Sequence, residues 1–286
     1  MYPVLLQFGS FEVRSYGVIV ALSFLAGLWA STRAAERKGL DPALLQDFSL
    51  YAFLGGLLGA RIYFILFSSP AYYLKNPWEI PAIWHGGIGV IGALIGGFFA
   101  AAWYCRRKRV PLLRFADTLA PGVALGQTIG QLACLLNGDS YGKPTNLPWA
   151  ITYSDPRSLA PLNISLHPIE IYEMAAYFLV FLLVRKAGQT ARIDGSGFVA
   201  YLGSYGVARF VVEFFRGSPA IVGWGIPAAQ VFSLLMLLGT GFFLLRSHRA
   251  QAGLGLRAFG GGNGTDYHRR SEDDASDKAN GGKRRR

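Results

Sequence analysis

A chain of 286 residues with 52% hydrophobic and 16% charged residues and a mean hydropathy of +0.31 falls outside the soluble globular class. The net charge of +11 does not mark a nucleic-acid binder, because residues 246–286 hold ten Lys/Arg against five Asp/Glu and leave only a modestly basic body. The two cysteines, Cys105 and Cys134, lack CxxC spacing, which excludes a disulfide framework and gives no sign of a metal or redox cofactor.

The opening stretch MYPVLLQFGSFEVRSYG has no basic region ahead of a short apolar core, so the first span is read as the insertion signal itself. Apolar runs then predict helices at about 17–34, 47–68, 87–105, 117–137, 169–185, 196–215 and 226–246, each close to the roughly 20 residues that cross a bilayer. The expected fold class is an all-α polytopic membrane protein with seven transmembrane helices. Basic residues follow every second span: Arg33, Arg37 and Lys38, then the run from Arg106 to Arg109, then Arg185, Lys186 and Arg192, then the tail. These junctions are expected in the cytoplasm, with the N-terminus outside and the C-terminus inside. Trp78, Trp84, Trp149 and Trp224 fall in the opposite loops, where an aromatic belt sits. Residues 1–249 form the expected transmembrane domain, with the long loop 138–168 as a lid or small subdomain. Residues 250–286 read as a disordered tail leaning on anionic membrane lipids.

Glycines four apart, Gly55/Gly59, Gly92/Gly96 and Gly126/Gly130, predict close helix contacts. Ionisable groups within spans cost roughly 2.5–3.5 kcal/mol each on insertion scales, so they mark interior sites. Arg61 lies in GARIYF, Glu173 in HPIEIYE, and Arg209 and Glu213 in YGVARFVVEFF. Tyr205, one turn before Arg209, and Arg216 after the helix extend the sixth span into a cationic stripe suited to phosphate. The alternative at this point is an inert Arg209/Glu213 ion pair. The fourth span ends in LLNGDSYGKP, where Gly142 and Pro144 explain a helix stop but Asn137 and Asp139 are not needed for one.

The ordered set RSYG, GARIYF, WHGGIGVIGALIGG, GQLACLLNGDSYGKP, HPIEIYE and YGVARFVVEFFR resembles the bacterial prolipoprotein diacylglyceryl transferases from about residue 14 to 217. The resemblance implies an enzyme of the cytoplasmic membrane, opening outward, that moves a diacylglyceryl unit from phosphatidylglycerol to a prolipoprotein lipobox cysteine without a cofactor. It implies Arg209, Asp139 and Tyr205 as catalytic residues. Tyr16, Arg61, Gln131, Asn137, Gly142, Glu173, Glu213 and Arg216 are implied to bind or orient the substrate. The chain departs from the family pattern at Gln131, where an arginine is common, at Cys134, where an asparagine is common, and at Ile91, where a histidine is common. Asp139, His85 and the positive field of the site are the open alternatives for activating the substrate thiol. His167 reads as an anchor ahead of Pro168. A lipid-binding paralogue without turnover and a carrier or channel are the rival functional classes.

Overall fold

The computed structural model describes residues 4–8, 11–190, 193–222 and 225–260. A hairpin of β1 (Val4–Phe8) and β2 (Phe11–Arg14) leads into α1 (Ser15–Arg37) and α2 (Ala43–Tyr63), which continues through a π-helical turn at Phe64–Ser68. A short α3 (Pro70–Lys75) and two 3-10 turns precede α4 (Val90–Lys108) and α5 (Leu112–Asn137). The long loop carries β3 (Ile151–Thr152) and β4 (Ser165–Leu166), followed by α6 (Ile169–Thr190) and α7 (Ser196–Val212). After a 3-10 turn at Glu213–Phe215, β5 (Ile221–Val222) and β6 (Ile226–Pro227) lead into α8 (Ala228–Gly260).

The expected helices are all present, and their ends move for local reasons. The third begins at Val90 rather than 87, because Gly86 and Gly87 hold φ of 84° and 76°, outside the right-handed helical range. The last runs past 246 to Gly260, and residues 261–286 of the expected tail lie outside the described residues. The all-α expectation needs one amendment, because among the described residues three two-stranded hairpins pair the segment ahead of α1 and two connections, whose backbone groups need partners. Among the described residues, five helical stretches, Ser15–Arg37, Ala43–Ser68, Leu112–Asn137, Ser196–Phe215 and Ala228–Arg246, are long and apolar enough to cross a membrane. The other two expected spans carry more charge: Arg106, Arg107 and Lys108 end α4, while Glu170, Glu173, Arg185 and Lys186 lie in α6.

Helix α5 packs against α1, α6 and α7, and α2 pairs with α4. Small residues make both contacts possible. A methyl group on Gly27 of α1 would sit 2.8 Å from the Gly122 carbonyl oxygen, and one on Gly59, Gly92 or Gly96 would overlap the facing α2 or α4 backbone. The α1–α5–α6–α7 interface buries Ala30, Ala120, Ala124, Val180, Val184 and Tyr201, and a second cluster gathers Leu45, Phe48, Tyr104 and Phe115. Outward, Phe53, Leu58, Phe98 and Phe99 are 59–65% exposed, an apolar surface that acyl chains solvate and water does not.

One buried ion pair ties these helices at their basic end. Asp117, 2% exposed, accepts hydrogen bonds from Lys38 at 2.5 Å and from the Gly195 and Phe198 amides at 2.9 and 2.8 Å. A carboxylate from α5 therefore satisfies the orphan amides that begin α7. At the other end the 138–168 loop has its own small core of Tyr153, Ala160 and Leu166.

Candidate active site

Four charged side chains close into a ring. Arg209 donates through Nη1 to Glu173 Oε1 and pairs through Nη2 with Glu213 Oε2 at 3.0 Å. Arg216 donates through Nη2 to the same Glu173 oxygen at 2.9 Å and through Nε to the same Glu213 oxygen at 3.1 Å. The backbone explains why two arginines seven residues apart meet. After Val212 the helix tightens into a 3-10 turn and Arg216 turns extended, with φ −70° and ψ 134°, so its side chain folds back over Glu213.

The expected cationic stripe is thus corrected. The two guanidinium charges are matched locally by two carboxylates, and the ring as a whole is neutral, because unpaired charge could not be held at this burial. Its layout is asymmetric: the arginine side chains are 18% and 15% exposed while Glu173 and Glu213 are 2% and 1% exposed. The carboxylates lie behind and hold the guanidinium groups in place. Each guanidinium carries five N–H groups. Arg209 uses two in the ring, and Arg216 uses two there and a third on Ser140 Oγ at 2.8 Å.

The polar knot after α5 is tied to this ring. Gly138 caps the helix at φ 70°, its amide donating to the Cys134 carbonyl at 2.7 Å, a left-handed position that favours glycine. Ser140 then reaches Arg216, and Gly142 pairs with Arg216 in an antiparallel bridge. The Lys143 amide donates to Phe215 O at 2.8 Å and the Gly217 amide to Tyr141 O at 3.0 Å. Gly142 was expected to bind the headgroup; it is buried instead, and a methyl group there would overlap the His167 backbone. Its work is to let segment 141–143 pass between two other backbones.

Asn137 Nδ2 donates to Asp139 Oδ2 at 3.3 Å. Asp139 is exposed, forms no ion pair among the described residues, and lies close enough to Cys134 and Tyr16 to act on both electrostatically. Tyr205 stacks on Tyr201 with centroids 5.6 Å apart and packs 5.3 Å from Tyr177, forming an aromatic wall below Arg209. Gln131 keeps a buried Oε1 with no hydrogen-bond partner among the described residues.

Arg61 does not join this group. It is 5% exposed and donates to the carbonyls of Glu79, Ile80, Ala82, Gly86 and Gly87, with Tyr73 stacked 5.1 Å away. The expectation of substrate binding is corrected: its donors are consumed in holding the loop between α3 and α4. His85 is on that loop too, exposed and joined through Nδ1 to Glu79 at 2.8 Å. His167 packs 5.3 Å from Phe215 and faces the Tyr172 hydroxyl at 3.3 Å, in keeping with an anchor.

Sequence reasoning missed Ser140 as a partner of Arg216. It also missed the Tyr153–Glu170 hydrogen bond of 3.1 Å beneath the long loop. Burial and the neighbouring Glu170 carboxylate push the Tyr153 phenol above its ordinary pKa, so it stays a donor. The available signal was Glu170 standing three residues before Glu173 on one helical face.

Residues 3–246 match the family described as prolipoprotein diacylglyceryl transferase. The chain belongs to this family. Similar relatives named phosphatidylglycerol–prolipoprotein diacylglyceryl transferase come from Trichormus variabilis, 36% identical over 241 residues covering 81% of this chain and 84% of the relative. Those of Geobacter sulfurreducens (35% over 250 residues, 85% and 92%) and Staphylococcus aureus strain MW2 (34% over 244 residues, 82% and 85%) are comparable. The matched residues 3–246 include both the charged ring and the knot after α5.

Proposed function

We propose that this chain transfers the diacylglyceryl group of phosphatidylglycerol to the lipobox cysteine of a prolipoprotein. The observation that carries the reading is the Arg209–Glu173–Arg216–Glu213 ring in a chain of this family. The thiol loses its proton, the sulfur attacks the glycerol carbon bearing the phosphate ester, the carbon–oxygen bond breaks, and glycerol phosphate departs with the bonding electrons. Charge therefore builds on the phosphate oxygen as the bond breaks. Guanidinium N–H groups already oriented by buried carboxylates stabilise that charge with little reorganisation.

In this mechanism Arg209 grips the departing phosphate and Arg216, held by Ser140, completes the grip. Glu173 and Glu213 fix both guanidinium planes. Tyr205 lines the pocket wall, while Tyr16, Asn137 and the unpartnered Gln131 carbonyl face the glycerol headgroup, whose hydroxyls are donors for that carbonyl. Asp139, having no cationic partner among the described residues, accepts the thiol proton. The partners are phosphatidylglycerol, the prolipoprotein lipobox segment and surrounding membrane lipids.

The reading includes seven membrane spans in the cytoplasmic membrane, an outward active site, an outer loop 138–168 serving as a lid, and a basic cytoplasmic tail from residue 250. The basic junctions and the five clearly apolar helices support it. Purified protein mixed with phosphatidylglycerol and a lipobox peptide should release glycerol phosphate and form the thioether; a folded preparation that does neither overturns the proposal. For the orientation, an impermeant maleimide should label Asn146→Cys but not Arg107→Cys on intact cells of a cysteine-free background. The reverse pattern refutes it.

A further inference from the structure

Helix α6, which carries Glu173 of the charged ring near its N-terminal end, borders a cavity near its C-terminal end. Tyr16 and Glu173 lie near the N-terminal ends of α1 and α6, and Asn137 ends α5. The cavity, about 290 Å³, is lined from the C-terminal ends of α1 and α6 and the N-terminal half of α5. This volume lies near the low end of small-molecule sites. Its lining includes the cationic Arg33, Arg37 and Arg185 and the apolar Trp29, Phe181 and Val184. Lys38 and Asp117 also reach it but neutralise each other through their 2.5 Å contact. Arg33 shares its charge with Glu36 at 3.5 Å, a loose exposed pair. Arg37 and Arg185 form no hydrogen bond or ion pair with the described residues.

We infer that this cavity binds an anionic phospholipid, its phosphate held by Arg37 and Arg185 with Arg33 beside them and an acyl chain lying along Trp29 and Phe181. Two arguments select this occupant. Arg37 and Arg185 converge from two helices without a matching acid among the described residues, which complements a phosphate and leaves guanidinium N–H pairs for bidentate contact. Trp29 is 58% exposed on a helix long and apolar enough to span a membrane, so the apolar side of the cavity is continuous with a surface that acyl chains cover. A soluble anion would use the arginines but not that surface. Space is also present: at Gly188, which lines the cavity, nothing lies within 4 Å of where a side chain would begin.

The inference does not depend on the transferase reading, and its test separates the two. Native mass spectrometry of the full chain in neutral detergent, titrated with dioleoyl phosphatidic acid, should show a bound lipid in the unaltered protein and in Arg209→Ala. Arg37→Gln/Arg185→Gln should weaken that binding roughly 30-fold, with the rate of glycerol phosphate release unchanged. Arg37→Lys/Arg185→Lys should recover most of it, and Gly188→Leu should reduce it with every charge retained. Equal binding by the Gln double variant, or equal retention of dioleoyl phosphatidylcholine, overturns the site. Displacement by inorganic phosphate at the same concentration as the lipid overturns the lipid as occupant. Loss of the bound lipid in Arg209→Ala assigns the binding to the ring at the other end and equally overturns it.

Discussion

Replacing Arg209 with alanine separates the two tasks of the charged ring, holding the fold and stabilising departing charge. The substitution removes the contacts from Arg209 to Glu173 and Glu213. Each carboxylate still keeps a guanidinium, because Arg216 holds Glu173 at 2.9 Å and Glu213 at 3.1 Å. With no carboxylate orphaned, the stability cost stays near that of one or two charge-assisted hydrogen bonds, about 2–4 kcal/mol, rather than that of a bare buried ion. The ring, however, passes from neutral to a net charge of −1 and loses the donors that face the departing phosphate. Loss of one such preorganised donor slows acyl-transfer enzymes by about 10²–10³, and the repulsion adds to it. Release of glycerol phosphate from phosphatidylglycerol should therefore fall at least about 100-fold in kcat, with thermal unfolding in detergent still cooperative. Arg209→Lys should retain part of the rate, because a point charge replaces a planar fork. A folded Arg209→Ala protein working within threefold of the unaltered chain would refute the assignment of charge stabilisation to this ring.

Asp139→Asn should lower kcat most at neutral and acidic pH, with recovery as rising pH ionises the peptide thiol directly; a pH profile parallel to that of the unaltered chain would rule out Asp139 as the proton acceptor. Ser140→Ala removes the hydroxyl that accepts from Arg216 Nη1 and should slow turnover by roughly 3–10-fold with little change in unfolding temperature, on about 1 kcal/mol for the hydrogen bond. Arg61→Ala leaves five carbonyls short of a donor and should cost at least about 3 kcal/mol in stability; a drop in activity without that loss would contradict its structural role. In the long loop, Arg157 holds the Asp155 carboxyl down at about 2. A depressed carboxyl contributes stability above its unfolded pKa near 4, lost only as pH falls toward 2. Proteolysis of this loop should therefore be unchanged between pH 7 and 5, and Asp155→Asn should remove any acid-induced loosening below that.

The glycine spacing in α2 and α4 was enough to expect a close contact on each helix, because a four-residue repeat places small residues on one face, but not to say that the two helices pair with each other. Hydropathy likewise located every long helix, since a twenty-residue apolar run has few other solutions. The breaks at Gly86 and Gly87 were harder to see, because glycine permits both helix and turn and only the loop gripped by Arg61 selects the turn. For Arg61 itself, charge in a span correctly indicated an interior partner, but sequence could not distinguish a ligand from five backbone carbonyls.

The linear chain by itself determined which groups are costly to bury, namely Arg209, Glu213, Glu173 and Arg61, and that such groups must find partners. Only the tertiary structure decided which partners they found. Glu173 and Arg209 are brought together by the packing of α6 on α7, and Ser140 reaches Arg216 because Gly142 admits a strand-like crossing. Local pattern reports the energy of each side chain in its surroundings, whereas the matching of charges 36 and 43 positions apart depends on how the helices pack, which no local period records.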